Sequence, residues 1–189
     1  MSKLVVISGP SGAGKGTVVK ELLNIYKEKN DKVHLSISAT TRLAREGEVD
    51  GVNYYFIKES EFLEKLNNNA FLEYNMYGTG KYYGTLKDHV FEYLQKGYDV
   101  ILEIDINGYK QVVGNYKEAL GIFIMPPSLE VLEQRLRDRG TESEENILKR
   151  LKTAEEEIKN KEIYPHIVIN EDGKVYEAAR EIYEIIKDN

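Results

Sequence analysis

The 189-residue sequence contains no cysteine, and this absence excludes several classes of protein. Without thiols the chain cannot form a disulfide framework, a thiolate metal site or a cysteine nucleophile. Its three scattered histidines do not make an obvious zinc site. A chain without disulfides fits a reducing compartment, so we expect a cytoplasmic protein.

Proline and long apolar runs are also scarce. With only four prolines there is no proline-rich linker to divide the chain. The apolar run near the start, Leu4–Ile7, is too short for a signal sequence or a membrane span, so no membrane association is expected. The length and the 41 % hydrophobic content fit one domain over residues 1–189 with a substantial core.

The charge balance is acidic, with 26 Lys and Arg against 32 Asp and Glu and a formal net charge of −6. The electrostatic field of a negatively charged protein does not favour binding of a polyanion, so nucleic acid is not an expected partner. Any anionic ligand must therefore be held by local basic groups.

Short β-branched runs alternate with stretches that have apolar residues at helical spacing. This alternation predicts an α/β fold in three layers, with a central parallel sheet covered by helices. The strands are predicted at Leu4–Ser8, Val33–Ala39, Asp99–Ile104, Gly121–Met125 and His166–Ile169.

Two regions interrupt the alternation. Residues of about 38–88 carry clusters of Arg, Gly and Tyr, with a short strand predicted at Tyr54–Ile57 and a helix near Glu59–Asn69, and they resemble an insertion that bears a binding surface. Residues of about 137–149 are very polar and lie between two predicted helices, as a mobile lid would.

A glycine-rich loop lies between the first predicted strand and a helical stretch, which is the context that a phosphate-binding loop requires. Backbone N–H groups and the helix N-terminus would hold a phosphate there, and Lys15 would bridge the terminal phosphates. Gly16 occupies the position of the usual Mg²⁺-binding hydroxyl, and Thr17 follows it. We therefore expect Mg²⁺ to be held mainly by nucleotide phosphates and water, with Thr17 donating to a phosphate. The candidate ATP-binding residues are Gly9, Pro10, Ser11, Gly12, Ala13, Gly14, Lys15, Gly16 and Thr17.

A second anion site is indicated by Arg42 and Arg45, whose guanidinium groups match a phosphate bidentately. Downstream, tyrosines and the carboxylate of Glu73 lie among apolar neighbours.

Together these motifs resemble the guanylate kinases, which are ATP:GMP phosphotransferases, in family order from Ser8 to Asn170. The resemblance implies ATP and GMP (with dGMP) as substrates and Mg²⁺ as the cofactor bound with ATP. It also implies three sets of residues. Arg42, Arg45, Tyr54 and Tyr83 would bind the GMP phosphate; Ser38, Glu73, Thr85 and Asp105 would read the guanine; and Asn170 would lie near the donor adenine. The implied role of Glu73 has a chemical reason, because an ionised carboxylate only accepts hydrogen bonds and guanine presents two adjacent donors. Adenine presents an acceptor at N1 and would be rejected. Catalysis would rest on Lys15, Arg42 and three arginines that close over the transferring phosphoryl group, Arg135, Arg139 and Arg150.

The chain departs from the family pattern in two places. Ala44 replaces a proline beside Arg45, and the segment Tyr77–Lys81 is slightly longer than usual. Arg137 should lie on another helix face, in solvent or in a surface salt bridge. Two alternatives remain: a kinase for another nucleoside monophosphate, and a guanylate-kinase-like module that binds protein partners. The intact loop with Lys15 argues against the second, and the segment around Glu73 argues against the first.

Overall fold

The computed structural model describes residues 2–77, 80–138 and 143–189, and a five-stranded parallel sheet lies at its centre. All neighbouring strands run parallel, in the spatial order β2-β7-β1-β8-β9, which confirms the predicted α/β fold. Numbered along the whole chain, these strands are β1 (Leu4–Ser8), β2 (Val33–Leu35), β7 (Asp99–Glu103), β8 (Leu120–Met125) and β9 (His166–Ile169).

Helices cover both faces of this sheet because its central strands are apolar on both sides. Val5 and Ile7 of β1 pack towards α1 (Lys15–Glu28) and α7 (Val175–Asp188). Val6 faces the opposite layer, where Val90 and Val112 come from α3 (Lys87–Gln95) and α4 (Ile106–Asn115). The three-layer arrangement was predicted from the sequence and is confirmed.

A second, four-stranded sheet is built from the insertion, in the order β4-β3-β6-β5. Phe62 and Phe71 stack with ring centroids 4.3 Å apart and form the centre of its small core. The elements are β3 (Ala39–Thr40), β4 (Tyr55–Phe56), α2 (Glu59–Asn67), β5 (Phe71–Tyr77) and β6 (Lys81–Leu86).

The prediction of one strand over Val33–Ala39 is wrong, because the chain changes sheets within that segment. The Ser36 N–H still donates to Ile101 of the central sheet (2.9 Å), whereas the carbonyl of Ser38 accepts from Tyr55 in the second sheet (2.9 Å). A continuous apolar run cannot reveal this exchange of partners, since both halves satisfy the same local pattern.

Helices α5 (Leu129–Asp138) and α6 (Glu144–Lys159) pack together through their apolar sides. Residues 137–138 and 144–149 of the polar segment that was predicted to lie between two helices are therefore helical themselves, and residues 139–142 lie outside the described ranges. A short 3₁₀ helix over Lys161–Ile163 then leads into β9. Arg137 makes ion pairs with Glu133 and Glu144 and is 37 % exposed, as expected for a surface salt bridge. Within the described ranges, no helix is both long enough and apolar enough to span a membrane.

Candidate active site

The predicted site residues converge where the carboxyl ends of the central strands meet the second sheet. Open α/β sheets bind ligands at this edge. A cavity of about 310 Å³ lies there, between the glycine-rich loop and the insertion. Its walls include eight of the predicted site residues: Gly9, Ser11, Lys15, Ser38, Tyr54, Glu73, Tyr83 and Asp105.

The loop between β1 and α1 depends on glycine at the points where its backbone approaches other elements most closely. Gly9 and Gly12 have φ angles of 152° and 95°, which side chains rarely adopt. A Cβ on Gly9 would lie 2.2 Å from the carbonyl oxygen of Ile124, and one on Gly12 would lie 2.7 Å from Leu132. These close approaches seat the loop against β8 and α5 with its backbone turned around a concave centre.

Lys15 folds back over this loop. Its Nζ donates to the carbonyl oxygen of Gly9 (2.5 Å) and approaches that of Pro10 (3.3 Å). The ammonium group therefore lies on the cavity side of the loop, between the loop and the predicted guanine site. Thr17 lines a second cavity of about 390 Å³ on the other side of the loop.

That second cavity is organised by Asn170, which follows β9 directly. The Asn170 amide donates to the carbonyl of Ala13 (2.8 Å), and its backbone carbonyl accepts from Arg135 (2.8 Å). Arg135 also forms an ion pair with Asp172 (2.5 Å). The Oδ1 atom of Asn170 is buried and lacks a hydrogen-bond partner within the described part of the chain, and the residue lines this cavity.

Glu73 lies on β5 and is almost fully buried, with 6 % of its surface exposed. It faces Thr85 across the β5–β6 pair, and the Thr85 hydroxyl donates to Glu73 Oε1 (2.6 Å). Burial above all, together with the charge of Asp105, raises the pKa of Glu73 to about 7 against the opposing effect of the hydrogen bond from Thr85. The carboxyl group therefore titrates near neutral pH.

Asp105 is the N-cap residue of α4. Besides its predicted contact with guanine, its carboxylate makes two kinds of hydrogen bond within the protein. Its Oδ1 caps the helix by accepting the Gly108 N–H (2.8 Å). Its Oδ2 accepts from the amide of Asn75 (3.1 Å) and the hydroxyl of Tyr77 (2.8 Å). Asp105 therefore joins the central sheet to the hairpin that carries Glu73.

The predicted phosphate ligands of the insertion surround Glu48, a residue that the sequence analysis did not assign. The Arg42 guanidinium holds Glu48 bidentately, at 2.7 and 2.9 Å, and its Nε donates to the Tyr83 hydroxyl (3.2 Å). This pairing lowers the pKa of Glu48 to about 2 and raises that of Arg42. Arg45 has an exposed side chain, and only its backbone N–H contacts Glu48 (2.7 Å).

Two of the three arginines that were predicted to close over the transferring phosphoryl group lie in the described part of the structure. Arg135 contacts Asn170 and the loop, and its guanidinium NH1 lies 3.5 Å from the carbonyl oxygen of Ala13. Arg150 lines a cavity of about 640 Å³ together with Ser11, Tyr77 and Glu157. Arg139 lies outside the described residues, so the prediction for it has no structural counterpart here.

Two acidic residues that the sequence analysis left out also face this cleft. Glu103 ends β7 and lines the 310 Å³ cavity; the walls of the cleft raise the pKa of its carboxyl, and the charge of Lys15 opposes this shift. Glu157 reaches the loop from α6, and among the described residues its buried Oε2 has no hydrogen-bond partner. The position of Glu103 two residues before Asp105 could have drawn attention to it. Glu157 has no local signal, because it lies on an otherwise solvated polar helix.

Comparisons with known proteins identify the family to which this chain belongs. A family model described as guanylate kinase matches residues 1–189. A guanylate kinase of Clostridium tetani is 52 % identical over 184 residues, which cover 97 % of this chain and 84 % of the relative. One from Prochlorococcus marinus subsp. pastoris is 46 % identical over 187 residues, covering 99 % and 98 %. The crystal structure of guanylate kinase from Anaplasma phagocytophilum superposes with a TM-score of 0.75 at 31 % identity, over 99 % of this chain and 85 % of that one. The chain belongs to the guanylate kinase family, the ATP:GMP phosphotransferases.

Proposed function

We propose that GMP or dGMP binds in the 310 Å³ cavity, with its base at Glu73 and its phosphate towards Lys15 and the insertion. The observation that supports this most directly is the buried carboxylate of Glu73, held on one oxygen by Thr85 and sharing a cavity with the lysine of the phosphate loop. A base reader and a phosphate-binding cation at two ends of one cavity suit a nucleoside monophosphate.

The recognition chemistry rests on hydrogen-bond polarity. An ionised Glu73 accepts the N1–H and N2–H donors of guanine, and Ser38, Thr85 and Asp105 provide the surrounding polar wall. Adenine would leave the buried carboxylate facing an acceptor. A site built on hydrogen bonds rejects such a ligand by roughly 10⁴-fold.

The GMP phosphate is assigned to Arg42, Arg45, Tyr54 and Tyr83. Glu48 accepts hydrogen bonds from two nitrogens of the Arg42 guanidinium. A phosphate binding there must share or displace this carboxylate. Neither Arg42 nor Arg45 lines the cavity, but Arg42 donates to Tyr83, which does. The Arg45 side chain is exposed, so we expect it to contribute less unless the insertion closes.

ATP is assigned to the glycine-rich loop, with its adenine in the 390 Å³ cavity beside Asn170. Asn170 lines this cavity and would lie beside the adenine. The loop amides and Lys15 would hold the phosphates. Arg135, Arg139 and Arg150 would neutralise charge on the transferring group, which needs no general base because the GMP phosphate is already an anionic nucleophile.

The family uses ATP with Mg²⁺, and the residues present fit an ion that is carried largely by the nucleotide. No group of three carboxylate or imidazole ligands occurs among the described residues. The Thr17 hydroxyl and the Glu103 carboxylate, which line the cavities on either side of the loop, are oxygen donors that suit Mg²⁺ or its waters. When bound, the ion would neutralise phosphate charge during transfer.

The domain organisation follows from these assignments. Residues 1–189 would form one kinase domain, in which the insertion of about residues 38–88 binds GMP and the segment of about 137–149 serves as the lid. Closure of both over the substrates would exclude water and so prevent hydrolysis of ATP.

A coupled ADP-release assay tests the assignment of the base, with GMP, dGMP, IMP, AMP, CMP and UMP as acceptors. Glu73→Gln places an amide donor against the donors of guanine. We expect kcat/KM for GMP to fall by an amount that corresponds to a loss of roughly 2 to 4 kcal/mol of transition-state stabilisation. IMP lacks the N2 amine, so it should be a poor acceptor for the wild type and should lose less in the variant. Glu64→Gln, an exposed change on α2, is the control.

Normal use of GMP by the Glu73→Gln variant would show that this carboxylate does not read the base. Equal turnover of AMP and GMP by the wild type would instead favour a kinase of broader specificity.

A further inference from the structure

The amide side chain of Gln111 joins α4 to the backbone of β5 through two hydrogen bonds. The Tyr74 N–H donates to Gln111 Oε1 (3.1 Å), and Gln111 Nε2 donates to the Tyr74 carbonyl (2.8 Å). Because β5 is the edge of the second sheet, these two backbone groups point away from β6 and find their partners on the helix. Gln111 thus takes the place of a neighbouring strand at a single residue.

This contact fixes the peptide group that follows Glu73. The N–H bound by Gln111 belongs to the peptide bond between Glu73 and Tyr74, so the hydrogen bond constrains the backbone from which the Glu73 side chain projects. A register shift interrupts the β5–β6 ladder between Phe71 and Glu73. A bulge of this kind disrupts the hydrogen bonds between two strands locally and leaves the backbone less constrained. The hydrogen bonds of Gln111 to Tyr74 therefore fix the backbone at a point where the pairing with β6 does so less.

The same side of α4 meets β5 at two further points, one and two helical turns earlier. Asp105 receives hydrogen bonds from Asn75 and Tyr77, as described above. At Gly108 the helix comes so close that a Cβ would lie 2.9 Å from Glu73 Oε2. Helix α4 is therefore the wall against which Oε2 of Glu73 rests.

We propose that Gln111 is a positioning residue for base selection, which holds strand β5 so that the Glu73 carboxylate points at the guanine. This inference rests on the proposed role of Glu73. Gln111 is half-buried and does not line the 310 Å³ cavity, so it acts through the strand and not by touching the base.

The test compares Gln111→Met, which keeps the length of the side chain and removes both hydrogen bonds, with Lys110→Met at an exposed position of the same helix. We expect kcat/KM for GMP to fall about 5- to 50-fold, the range for two neutral hydrogen bonds, mainly through KM. The preference for GMP over IMP should shrink, whereas KM for ATP should not change. Lys110→Met should behave as the wild type. Gln111→Asn, whose shorter side chain cannot reach both backbone groups, gives the same test if the methionine variant does not fold.

Glu73→Gln and the double variant with Gln111→Met separate the possible failures. If the single changes both impair GMP use and the double variant is little worse than Glu73→Gln, Gln111 acts through Glu73. Additive losses, or equal losses for GMP and ATP, would overturn the inference and leave a general structural role. If Glu73→Gln impairs GMP use and Gln111→Met does not, the inference alone is wrong. If Glu73→Gln has no effect, the proposed base site is wrong and the inference falls with it.

Discussion

Glu73 is a carboxylic acid whose protonation near neutral pH is set by burial. Its pKa of about 7 lies above the ordinary value because burial, above all, and the charge of Asp105 disfavour the ionised form. Recognition of guanine needs that ionised form, since a protonated carboxyl offers a donor to the N1–H of the base. Specificity at this residue is therefore coupled to pH.

We expect kcat/KM for GMP to fall as the pH drops from 8 through about 7, because the carboxyl of the free enzyme then gains its proton. The GMP phosphate also titrates, with a second pKa of about 6, so the comparison must be made with Glu73→Gln under the same conditions. In the variant, kcat/KM for GMP should no longer fall near pH 7, and only the decrease that comes from protonation of the GMP phosphate should remain. Superimposable profile shapes for the two enzymes would contradict the role of Glu73.

Arg42 shows why arginine and lysine are not interchangeable at one position. Its planar group reaches Glu48 through two nitrogens and Tyr83 through a third. An ammonium group cannot reproduce this fork.

We expect Arg42→Lys to raise KM for GMP about 10-fold without a comparable change in KM for ATP. Arg45→Ala should have the smaller effect, because the Arg45 side chain is exposed in this structure. Isothermal titration with GMP and with a non-hydrolysable ATP analogue distinguishes the two sites. A larger loss from Arg45→Ala, or a selective loss of ATP binding in either variant, would contradict the assignment.

At the scale of elements, the strand, loop and helix formed by β1, residues 9–14 and α1 work as one unit. The strand is buried, the loop glycines permit close approach to β8, and the helix begins at Lys15 with its N-terminal amides turned towards the cleft. Removing the lysine takes a preorganised charge from this unit without disturbing its packing.

Lys15→Ala should therefore lower kcat by at least about 10²-fold with an unchanged melting temperature. Lys20→Ala, at an exposed position of the same helix, serves as the control and should retain activity. Steady-state kinetics and thermal melting of both variants provide the measurement. Near-normal turnover of a well-folded Lys15→Ala enzyme would remove Lys15 from the catalytic group.

At the scale of the whole molecule, the end opposite the active site is closed by a charged cluster around Asp99. Lys187 on α7 reaches Asp99 of β7 (2.9 Å) and Asp31 (3.1 Å), and the Tyr26 hydroxyl donates to Asp99 (2.9 Å). This cluster joins the last helix to the first helix and to the central sheet. The Lys187 ammonium also lies over the Tyr26 ring, 4.6 Å from its centroid.

We expect Lys187→Met to lower the free energy of unfolding by about 1 to 3 kcal/mol, because it leaves the buried Asp99 carboxylate with fewer partners. Activity at 25 °C should be unaffected, since the cluster lies at the amino ends of the strands. Lys174→Met, which removes an exposed ion pair with Glu171, should cost less than about 1 kcal/mol. Urea unfolding checks both values; equal stabilities of the two variants would contradict this account of the cluster.

The sequence by itself determined the parts of this protein in which the physics is local. A buried β-branched strand, a glycine loop and a helix that starts with lysine follow one another within 25 residues, and their order predicts both structure and ligand. The alternation of apolar runs and helical periodicity likewise predicted the three layers, because each element must bury one apolar face. The family resemblance supplied the remaining site residues.

Only the tertiary structure decided which distant polar groups meet. Asn170 binds a carbonyl 157 positions away, and Gln111 binds the Tyr74 backbone 37 positions away. Even over six positions, it is the fold of the loop that brings the Glu48 carboxylate to the guanidinium of Arg42. Nothing in the local pattern of these residues marks them, since a hydrogen bond depends on where two elements lie relative to each other. The same reason explains the division of the segment Val33–Ala39 between two sheets, and it explains why the pKa of Glu73 follows from packing and not from its neighbours in the chain.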